Sequence, residues 1–293
     1  MSFGSSSCAV VITGASTGIG AACVVGCAQR GMTVFAGVRS HEAGEQLRQS
    51  AGPLVIPMHL DVTDGESISR SVELVRDRTG LQGLQGLVNN AGIAVSGPLE
   101  FLPLDDLRRQ LEVNVVGQIA VTQAFLPMLR LGRGRIINMG SIAGRASTPM
   151  IGPYCASKFA LEALTDALRL EVQHLGIHVS IVEPGAIATP IWEKSSERAK
   201  ALEAAAGEEA KTLYGNAIAG VRQAVEQAAQ RAIPTDAVLK AVLHALTADQ
   251  PKTRYLVGTD AKIRAFMAMW LPDRLQDWLL IKALKLPTWK PGR

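Results

Sequence analysis

The sequence predicts an α/β fold, in which a doubly wound parallel sheet forms a single domain. Short β-branched runs alternate with longer helical patterns along most of the 293 residues. Most of these runs are apolar throughout, as strands covered on both faces by helices require. Alternation of strand and helix is typical of parallel crossover units, and no low-complexity linker divides the chain.

Seven strands and six helices follow from this alternation. The predicted strands are Ala9–Thr13, Thr33–Val38, Leu54–His59, Gly86–Asn89, Gly134–Met139, Val179–Val182 and Arg254–Val257. The predicted helices are Gly18–Arg30, His41–Ser50, Asp64–Thr79, Asp105–Leu131, Tyr154–Leu175 and Thr235–Thr247. Pro127 lies late in the fourth helix and is expected to bend or restart it, because proline removes a backbone donor.

Two regions fall outside the alternation. Residues 195–233 are rich in Ala, Glu and Gln and predict one or two helices that form a lid after the sixth strand. Residues 259–293 carry apolar side chains at near-helical spacing, interrupted by Pro272. We therefore expect a dinucleotide-binding and catalytic domain at 1–258, which includes the lid, and a helical extension at 259–293.

Charge and cysteine usage exclude several classes of protein. The net charge is +4 and no run of five or six like charges concentrates it, which argues against nucleic acid as a partner. The four cysteines form no Cys-x-x-Cys pair and no zinc pattern with histidine, so we expect free thiols and no metal. The N-terminal residues lack the pattern of a signal peptide or membrane span, which predicts a cytoplasmic protein.

A glycine-rich turn follows the first predicted strand and opens a helix. Glycines at such a junction let the backbone approach a pyrophosphate at the helix N-terminus. The spacing is GxxxGxG, and a purely structural turn is the alternative interpretation. The candidate contacts in the sequence TGASTGIG are Gly14, Ser16, Thr17, Gly18, Ile19 and Gly20.

Arg39 bears on the choice of cofactor. It ends the second strand, where an acidic residue would hold the ribose 2′-hydroxyl of NAD. A guanidinium suits a 2′-phosphate instead, so we expect NADP(H) to be preferred over NAD(H). A solvated arginine at a strand end is the alternative.

Tyr154 and Lys158 lie four residues apart on a predicted helix. Such a pair alone is usually a solvated neighbour pair, but the upstream glycine turn makes a nicotinamide oxidoreductase the better interpretation. A phenol with a pKa near 10 is about three units too weak an acid to exchange protons at neutral pH. One positive charge about 4 Å away supplies on the order of 4 kcal/mol at an effective dielectric of about 20, so Lys158 is the candidate to stabilise the phenolate.

Several motifs together resemble the short-chain dehydrogenase/reductase family. They are TGASTGIG, Asp61-Val62, Asn89-Asn90-Ala91-Gly92, Asn114, Ser141, Tyr154-x-x-x-Lys158 and Pro184-Gly185, in the family's order over about Val10 to Thr189. The resemblance implies a seven-stranded Rossmann sheet and a catalytic tetrad of Asn114, Ser141, Tyr154 and Lys158. It also implies that Asp61 and Val62 contact adenine, that Asn90, Ala91 and Gly92 line the adenosine side, and that Ile187 and Thr189 meet the nicotinamide amide. Tyr154, Lys158, Pro184 and Gly185 complete the expected cofactor contacts.

The tetrad has a distinct expected role for each member. Ser141 would donate to the substrate oxygen as its charge grows, and Asn114 would hold a water that links Lys158 to solvent. Each also has an ordinary alternative: Ser141 as a turn or cap residue, Asn114 as a helix residue that bonds its own backbone, Lys158 as a surface charge.

The expected substrate is a hydrophobic alcohol or ketone. The segments beyond the strand ends offer Ile142, Met150, Ile151 and Trp192 with few charges. The segment VSIVEPGAIAT and the apolar C-terminus look like those of the steroid and retinol dehydrogenase branch. Competing readings are an epimerase or dehydratase of the same superfamily, for which the chain lacks a larger substrate domain, and a nicotinamide sensor without catalysis.

Two kinds of association are expected. The helices Asp105–Leu131 and Tyr154–Leu175 resemble the family's dimer-forming pair, which predicts a homodimer or homotetramer. The C-terminal tail can form a peripheral membrane contact through Trp270, Trp278, Trp289, Lys282, Lys285, Lys290 and Arg293. The alternative for the tail is packing on its own core.

Overall fold

Seven parallel strands form one sheet at the centre of the molecule. The structure is a computed structural model that describes residues 8–288, except the side chains of residues 192–199, 201 and 203–206. The strands are β1 (Ala9–Ile12), β2 (Thr33–Val38), β3 (Val55–His59), β4 (Gly86–Asn89), β5 (Arg135–Met139), β6 (His178–Pro184) and β7 (Arg254–Val257). Their order is β3-β2-β1-β4-β5-β6-β7, and every pair is parallel. The predicted doubly wound Rossmann-type sheet is confirmed.

Helices cover both faces of this sheet. They are α1 (Gly18–Ala28), α2 (His41–Ala51), α3 (Gly65–Thr79), α4 (Leu104–Leu111), α5 (Gly117–Gly132), α6 (Gly152–Glu171), α7 (Ile191–Gln230), α8 (Asp236–Thr247), α9 (Thr259–Trp270) and α10 (Asp273–Leu284). The predicted helices lie at these places with ends that differ by a few residues.

Each strand buries side chains on both faces. In β1, Val10 and Ile12 belong to one apolar cluster with Val24 of α1 and Val242 of α8. Val11 points to the opposite cluster with Phe125 of α5, among others. Burial on both sides is the physical reason that the strands are apolar throughout, since neither face meets water.

The expected restart of the helix at Pro127 is wrong, and the expected bend stays a prediction. Helix α5 continues through Pro127, and the interruption lies upstream at Glu112–Val116, a π-helical turn between α4 and α5. Proline at this position removes the helical hydrogen bond to the carbonyl of Gln123, which is an exposed residue. The π-helical turn contains Asn114, which is fully buried.

The lid and the extension are both helical. Helix α7 is two helices that meet at Gly207, whose φ of 81° is not helical. It begins at Ile191, four residues before the predicted Ser195. The extension divides into α9 and α10 around Pro272, as the spacing predicted. Trp289, Lys290 and Arg293 lie outside the described residues.

The extension contacts both the lid and the core. Ala261 and Ala265 of α9 pack against Ile142. A Cβ atom at Gly220 of α7 would collide with the carbonyl oxygen of Leu284 in α10, so glycine is needed for this close approach. The division of the chain at residue 258 stays a prediction.

One helical segment among the described residues, Leu104–Gly132, is long and apolar enough to cross a membrane by length and composition. This is weak evidence, because the core helix of a globular protein passes the same test. Phe125 and Leu129 of this segment are fully buried in the apolar cluster beside the sheet.

Candidate active site

A cavity of about 850 Å³ opens at the carboxyl ends of the strands. Every predicted site residue except Gly20 lines it: Gly14, Ser16, Thr17, Gly18, Ile19, Arg39, Asp61, Val62, Asn90, Ala91, Gly92, Asn114, Ser141, Tyr154, Lys158, Pro184, Gly185, Ile187 and Thr189. Ligands in open α/β sheets bind at this edge, where the strand order reverses. The reversal here lies between β1 and β4.

The glycine-rich turn forms a narrow backbone cradle at one end of the cavity. Gly14 and Gly18 have φ values of 61° and 58°, which favour glycine. A Cβ atom on Gly14 would lie 2.7 Å from the Cα atom of Ala91. Gly20 lies behind the cradle, where a Cβ atom would collide with the Gly14 carbonyl oxygen. Gly20 allows close packing of the turn, and the backbone amides at the start of α1 could hold a pyrophosphate.

Thr13 and Asn90 hold this turn in place. The Thr13 hydroxyl oxygen accepts hydrogen bonds of 2.9 Å from the backbone amides of Asn90 and Ala91. The Asn90 side-chain amide donates to the carbonyl oxygens of Thr13 and Gly14, each at 3.0 Å. Thr13 is a functional residue that sequence reasoning missed, although it begins the glycine motif.

Arg39 and Asp61 lie together at the other end of the cradle. Arg39 is exposed and lines the cavity. Partial burial opposes ionisation of Asp61, but hydrogen bonds from the backbone and hydroxyl of Thr63, with the charge of Arg39, bring the pKa of Asp61 below its usual value. This end of the cavity therefore carries one cation and one anion.

Ser141 and Tyr154 meet at the centre of the cavity. Ser141 follows β5 and accepts a hydrogen bond of 3.1 Å from the backbone amide of Ala143. Tyr154 lies in the first turn of α6. Burial raises the pKa of the Tyr154 phenol, and its hydrogen bond with Ser141 opposes this only partly.

The raised pKa of Tyr154 differs from the lowered value that we expected from Lys158. The Lys158 Nζ atom lies 5.7 Å from the centroid of the tyrosine ring, and it donates a hydrogen bond of 2.7 Å to the carbonyl oxygen of Met139. In this arrangement burial is the largest influence on the pKa of the Tyr154 phenol, ahead of its hydrogen bond with Ser141. The phenol is therefore protonated at neutral pH.

Lys158 is a buried cation whose charge depends on pH. Burial lowers its pKa to about 8, and the neighbouring Glu162 opposes that shift. Burial and the nearby Glu183 raise the pKa of Glu162 to about 7, against the attraction of Arg254 and Arg145. The Lys158 ammonium is thus present at neutral pH, with a carboxylate that ionises over the same range one helical turn away.

Asn114 connects two segments of the site. Its Oδ1 atom accepts a hydrogen bond of 2.9 Å from the Ile93 backbone amide, and its Nδ2 atom donates to the Ile93 carbonyl oxygen at 3.0 Å. Nδ2 also donates to the Ser157 hydroxyl at 3.1 Å, and that hydroxyl donates to the Tyr154 carbonyl oxygen at 2.7 Å. The water between Asn114 and Lys158 stays a prediction.

Two further buried glutamines were missed. The Gln110 Oε1 atom accepts from the Val95 backbone amide at 2.7 Å, and the Gln118 Nε2 atom donates to the Ala91 carbonyl oxygen at 2.9 Å. With Asn114 they form a row of amides at intervals of four residues. Amides that recur every fourth residue are the signal that could have found them, because this spacing places them on one side of a helix.

The remainder of the cavity is mostly apolar. Its walls include Phe101, Met150, Ile218 and Val221. Trp192, which we expected here, has no described side chain. Asp260 and Arg264 of α9 line the same cavity, and the sequence analysis did not select either of them. Among the described residues, no cluster of three or more His, Cys, Asp or Glu residues could hold a metal ion.

The buried charge of Lys158 predicts how stability changes with pH. In the folded protein its pKa is about 8, against an ordinary value of 10.5. Below pH 8 the Lys158 amino group is charged in the folded and in the unfolded protein, and burial of that charge destabilises the folded state. Between pH 8 and 10.5 the folded protein releases the proton first, so its free energy of unfolding should rise with pH relative to Lys158→Met.

Urea unfolding of both proteins across this range measures the difference. The variant lacks the hydrogen bond to the Met139 carbonyl oxygen at every pH, so the change of the difference with pH, and not its size, is the result to compare. The matched control is Lys262→Met on α9, where the lysine is exposed and the difference should stay flat. A constant difference between wild type and Lys158→Met would contradict the burial of the ammonium.

Comparisons with known proteins agree with this geometry. The family described as short chain dehydrogenase matches residues 8–200. Retinol dehydrogenase 5 of Mus musculus is 38% identical over 284 residues, covering 95% of this chain and 89% of that protein. The NADPH-dependent 3-dehydrocapnine reductase of Ornithobacterium rhinotracheale is 36% identical over 281 residues, covering 94% and 96%.

A solved structure has the same fold. It is a short chain dehydrogenase from Burkholderia cenocepacia J2315 in complex with NADP, with a TM-score of 0.72 and 27% identity, and the match covers 96% of this chain and 98% of that one. Because the family match spans more than half of the chain and the relatives match nearly all of it, this protein is an oxidoreductase of the short-chain dehydrogenase/reductase family.

Proposed function

We propose that the protein is an NADP(H)-dependent oxidoreductase that transfers a hydride between the nicotinamide and the carbonyl or alcohol carbon of a hydrophobic, retinoid- or steroid-like substrate. The observation that carries the proposal is the meeting of Ser141, Tyr154 and Lys158 with the glycine cradle in one cavity. When bound, the dinucleotide supplies or accepts the hydride. The protein side chains supply hydrogen bonds and a proton.

The residues act in a fixed order in the reductive direction. The Ser141 hydroxyl donates a hydrogen bond to the substrate oxygen and stabilises the charge that develops there. The Tyr154 phenol, which its raised pKa keeps protonated, gives its proton to that oxygen. The Lys158 ammonium then stabilises the phenolate below about pH 8. Asn114 and Ser157 fix the backbone of Tyr154 through their hydrogen bonds.

An apolar substrate suits the walls of the cavity. Lid residues Ile218, Val221 and Val225 face the same space as Phe101 and Met150. Burial of apolar surface contributes about 25 cal/mol per Å² and so favours a largely hydrocarbon substrate. The likeness to mouse retinol dehydrogenase 5 supports the same class.

Preference for NADP(H) rests on Arg39. Its exposed guanidinium lines the cavity beside Asp61, at the end where the adenosine ribose would lie. A relative named as NADPH-dependent and a similar structure in complex with NADP support this assignment. Asp61 favours a ribose hydroxyl, so the preference depends on the arginine charge outweighing that carboxylate.

Tyr154→Phe removes only the phenolic hydroxyl. Turnover of an apolar ketone should fall by at least about 10²- to 10⁴-fold, the usual contribution of a positioned proton donor. Cofactor affinity, measured by nicotinamide fluorescence, should change little because the ring remains. Retained turnover in the variant would remove Tyr154 from the proposed mechanism.

Arg39→Leu tests the cofactor assignment. Hydrogen bonds to a charged group contribute about 1.5–3 kcal/mol, so NADPH affinity should fall by roughly 10- to 100-fold. NADH affinity, which does not involve a 2′-phosphate, is the internal control and should stay nearly constant. Equal affinity of wild type for NADPH and NADH would end the NADP(H) proposal.

Assembly and location are further parts of the proposal. Val116, Phe159 and Leu170 are exposed on the two helices expected to form a dimer, with 51%, 42% and 63% of their surface accessible. Phe266 and Trp270 are exposed on the extension. We expect a cytoplasmic homodimer or homotetramer with a peripheral membrane contact. Light scattering that gives a monomer mass, or anionic vesicles that sediment without the protein, would contradict the respective expectation.

A further inference from the structure

Arg264 brings a positive charge from the C-terminal extension to the wall of the substrate cavity. It lies on α9 and lines the same space as Ser141 and Tyr154. Its Nη2 atom donates a hydrogen bond of 2.8 Å to the Thr148 hydroxyl and one of 3.3 Å to the Ala146 carbonyl oxygen. Both acceptors belong to the segment between Ser141 and Tyr154, so the guanidinium lies on the wall that carries the reacting groups.

These contacts use only part of the guanidinium. Arginine has five N–H donors, and no described residue accepts a hydrogen bond from its Nε or Nη1 atom. The two acceptors of Nη2 are uncharged, so neither hydrogen bond balances the positive charge. The Arg264 side chain is partly buried at the cavity wall, and this burial lowers its pKa.

Charged and titratable groups around Arg264 do not satisfy it fully. Asp260, one helical turn earlier, attracts it, but the Oδ2 atom of Asp260 accepts a hydrogen bond of 2.8 Å from the Ala186 backbone amide. The Cys155 thiol lies near the guanidinium, and burial raises the pKa of Cys155, so the thiol is neutral at pH 7. A neutral thiol supplies no compensating charge.

A purely structural role does not require this residue type. A neutral amide could donate to the Thr148 hydroxyl and the Ala146 carbonyl oxygen without the cost of desolvating a cation. A guanidinium has a planar fork that matches a carboxylate or another oxyanion with two parallel hydrogen bonds. The Nε and Nη1 donors that no described residue accepts, and a charge that only Asp260 offsets, together indicate a ligand anion at this part of the cavity wall.

We propose that Arg264 binds an oxyanion of the substrate, which is therefore an amphiphilic carbonyl or alcohol compound with a hydrocarbon chain and a carboxylate or similar acidic group near the reacting carbon. The identification of the ligand as a substrate rests on the proposed function. The anion site itself rests only on the cavity and Arg264. Ser141 and Tyr154 bind the reacting oxygen, Arg264 binds the acidic group, and the lid covers the chain.

Binding of a simple anion tests the site without turnover. Octanoate and 1-octanol have the same chain length and differ in charge, and titration calorimetry on the cofactor-loaded protein compares them. Wild type should bind octanoate roughly 10- to 100-fold more tightly than Arg264→Met does, since a hydrogen-bonded ion pair is lost. Binding of 1-octanol should not change. Arg264→Lys should recover part of the octanoate affinity.

Turnover gives the second arm of the test. The ketone 4-oxodecanoate and its methyl ester differ only in the anionic group, and wild type should have the higher kcat/KM for the acid. Arg264→Met should remove that preference and leave the rate with the ester nearly unchanged. Lys262→Met is the matched control, because Lys262 is an exposed cation of the same helix, and it should retain the preference.

The outcomes separate the two proposals. Equal affinity of wild type for octanoate and 1-octanol would overturn the anion site. An equal loss of rate with the acid and the ester in Arg264→Met would also overturn it, because that result indicates that Arg264 only stabilises the structure. A large loss of NADPH affinity in that variant assigns Arg264 to the cofactor instead and also overturns it. Arg264-dependent octanoate binding with no turnover of either ketone supports the anion site and counts against the proposed reaction.

Discussion

The loop after β4 is held from both sides by buried hydrogen bonds, and the rest of the site depends on them. On one side Thr13 and Asn90 fasten it to the glycine cradle. On the other side the loop backbone forms hydrogen bonds with the side chains of three residues in the segment from α4 to α5: Gln110, Asn114 and Gln118. Each buried bond contributes only about 1 kcal/mol, but an unpaired partner would cost about 1–3 kcal/mol. Cofactor cradle and catalytic residues therefore keep one relative position.

Burial of polar groups also sets the protonation states of the catalytic side chains. Tyr154 is desolvated enough to stay protonated, and Lys158 is desolvated enough to have a pKa of about 8. The carboxylate of Glu162 moderates the cost of the buried ammonium. Its own charge is part of a larger set in which Arg254 bonds both Glu162 and Asp166. Through Glu162, the charge of Lys158 thus interacts electrostatically with the partly exposed ion pairs of Arg254.

Sequence patterns could predict the sheet and the motif residues because both have local signals. Apolar runs identify strands such as β2 and β7, and the glycine spacing identifies the cradle. The π-helical turn at Asn114 and the role of Arg264 could not be predicted in this way. Both depend on packing between distant parts of the chain: Gly117 lies against the backbone of Val62, and α9 lies against the segment after Ser141. The residue type at Pro127 does not decide the helix boundary either, because α5 continues through it and the interruption lies at Glu112–Val116.

Transfer of a deuterium label tests the central claim most directly, namely that Tyr154 and the cradle serve a hydride transfer. The protein is supplied with NADPH deuterated at C4 of the nicotinamide and an apolar ketone, and the alcohol product is examined by mass spectrometry and NMR. We predict one deuterium on the carbinol carbon from one face of the nicotinamide, and roughly 10²- to 10⁴-fold less labelled alcohol from Tyr154→Phe under the same conditions. An alcohol formed without the label, or an equal amount of labelled alcohol from Tyr154→Phe, would contradict the account.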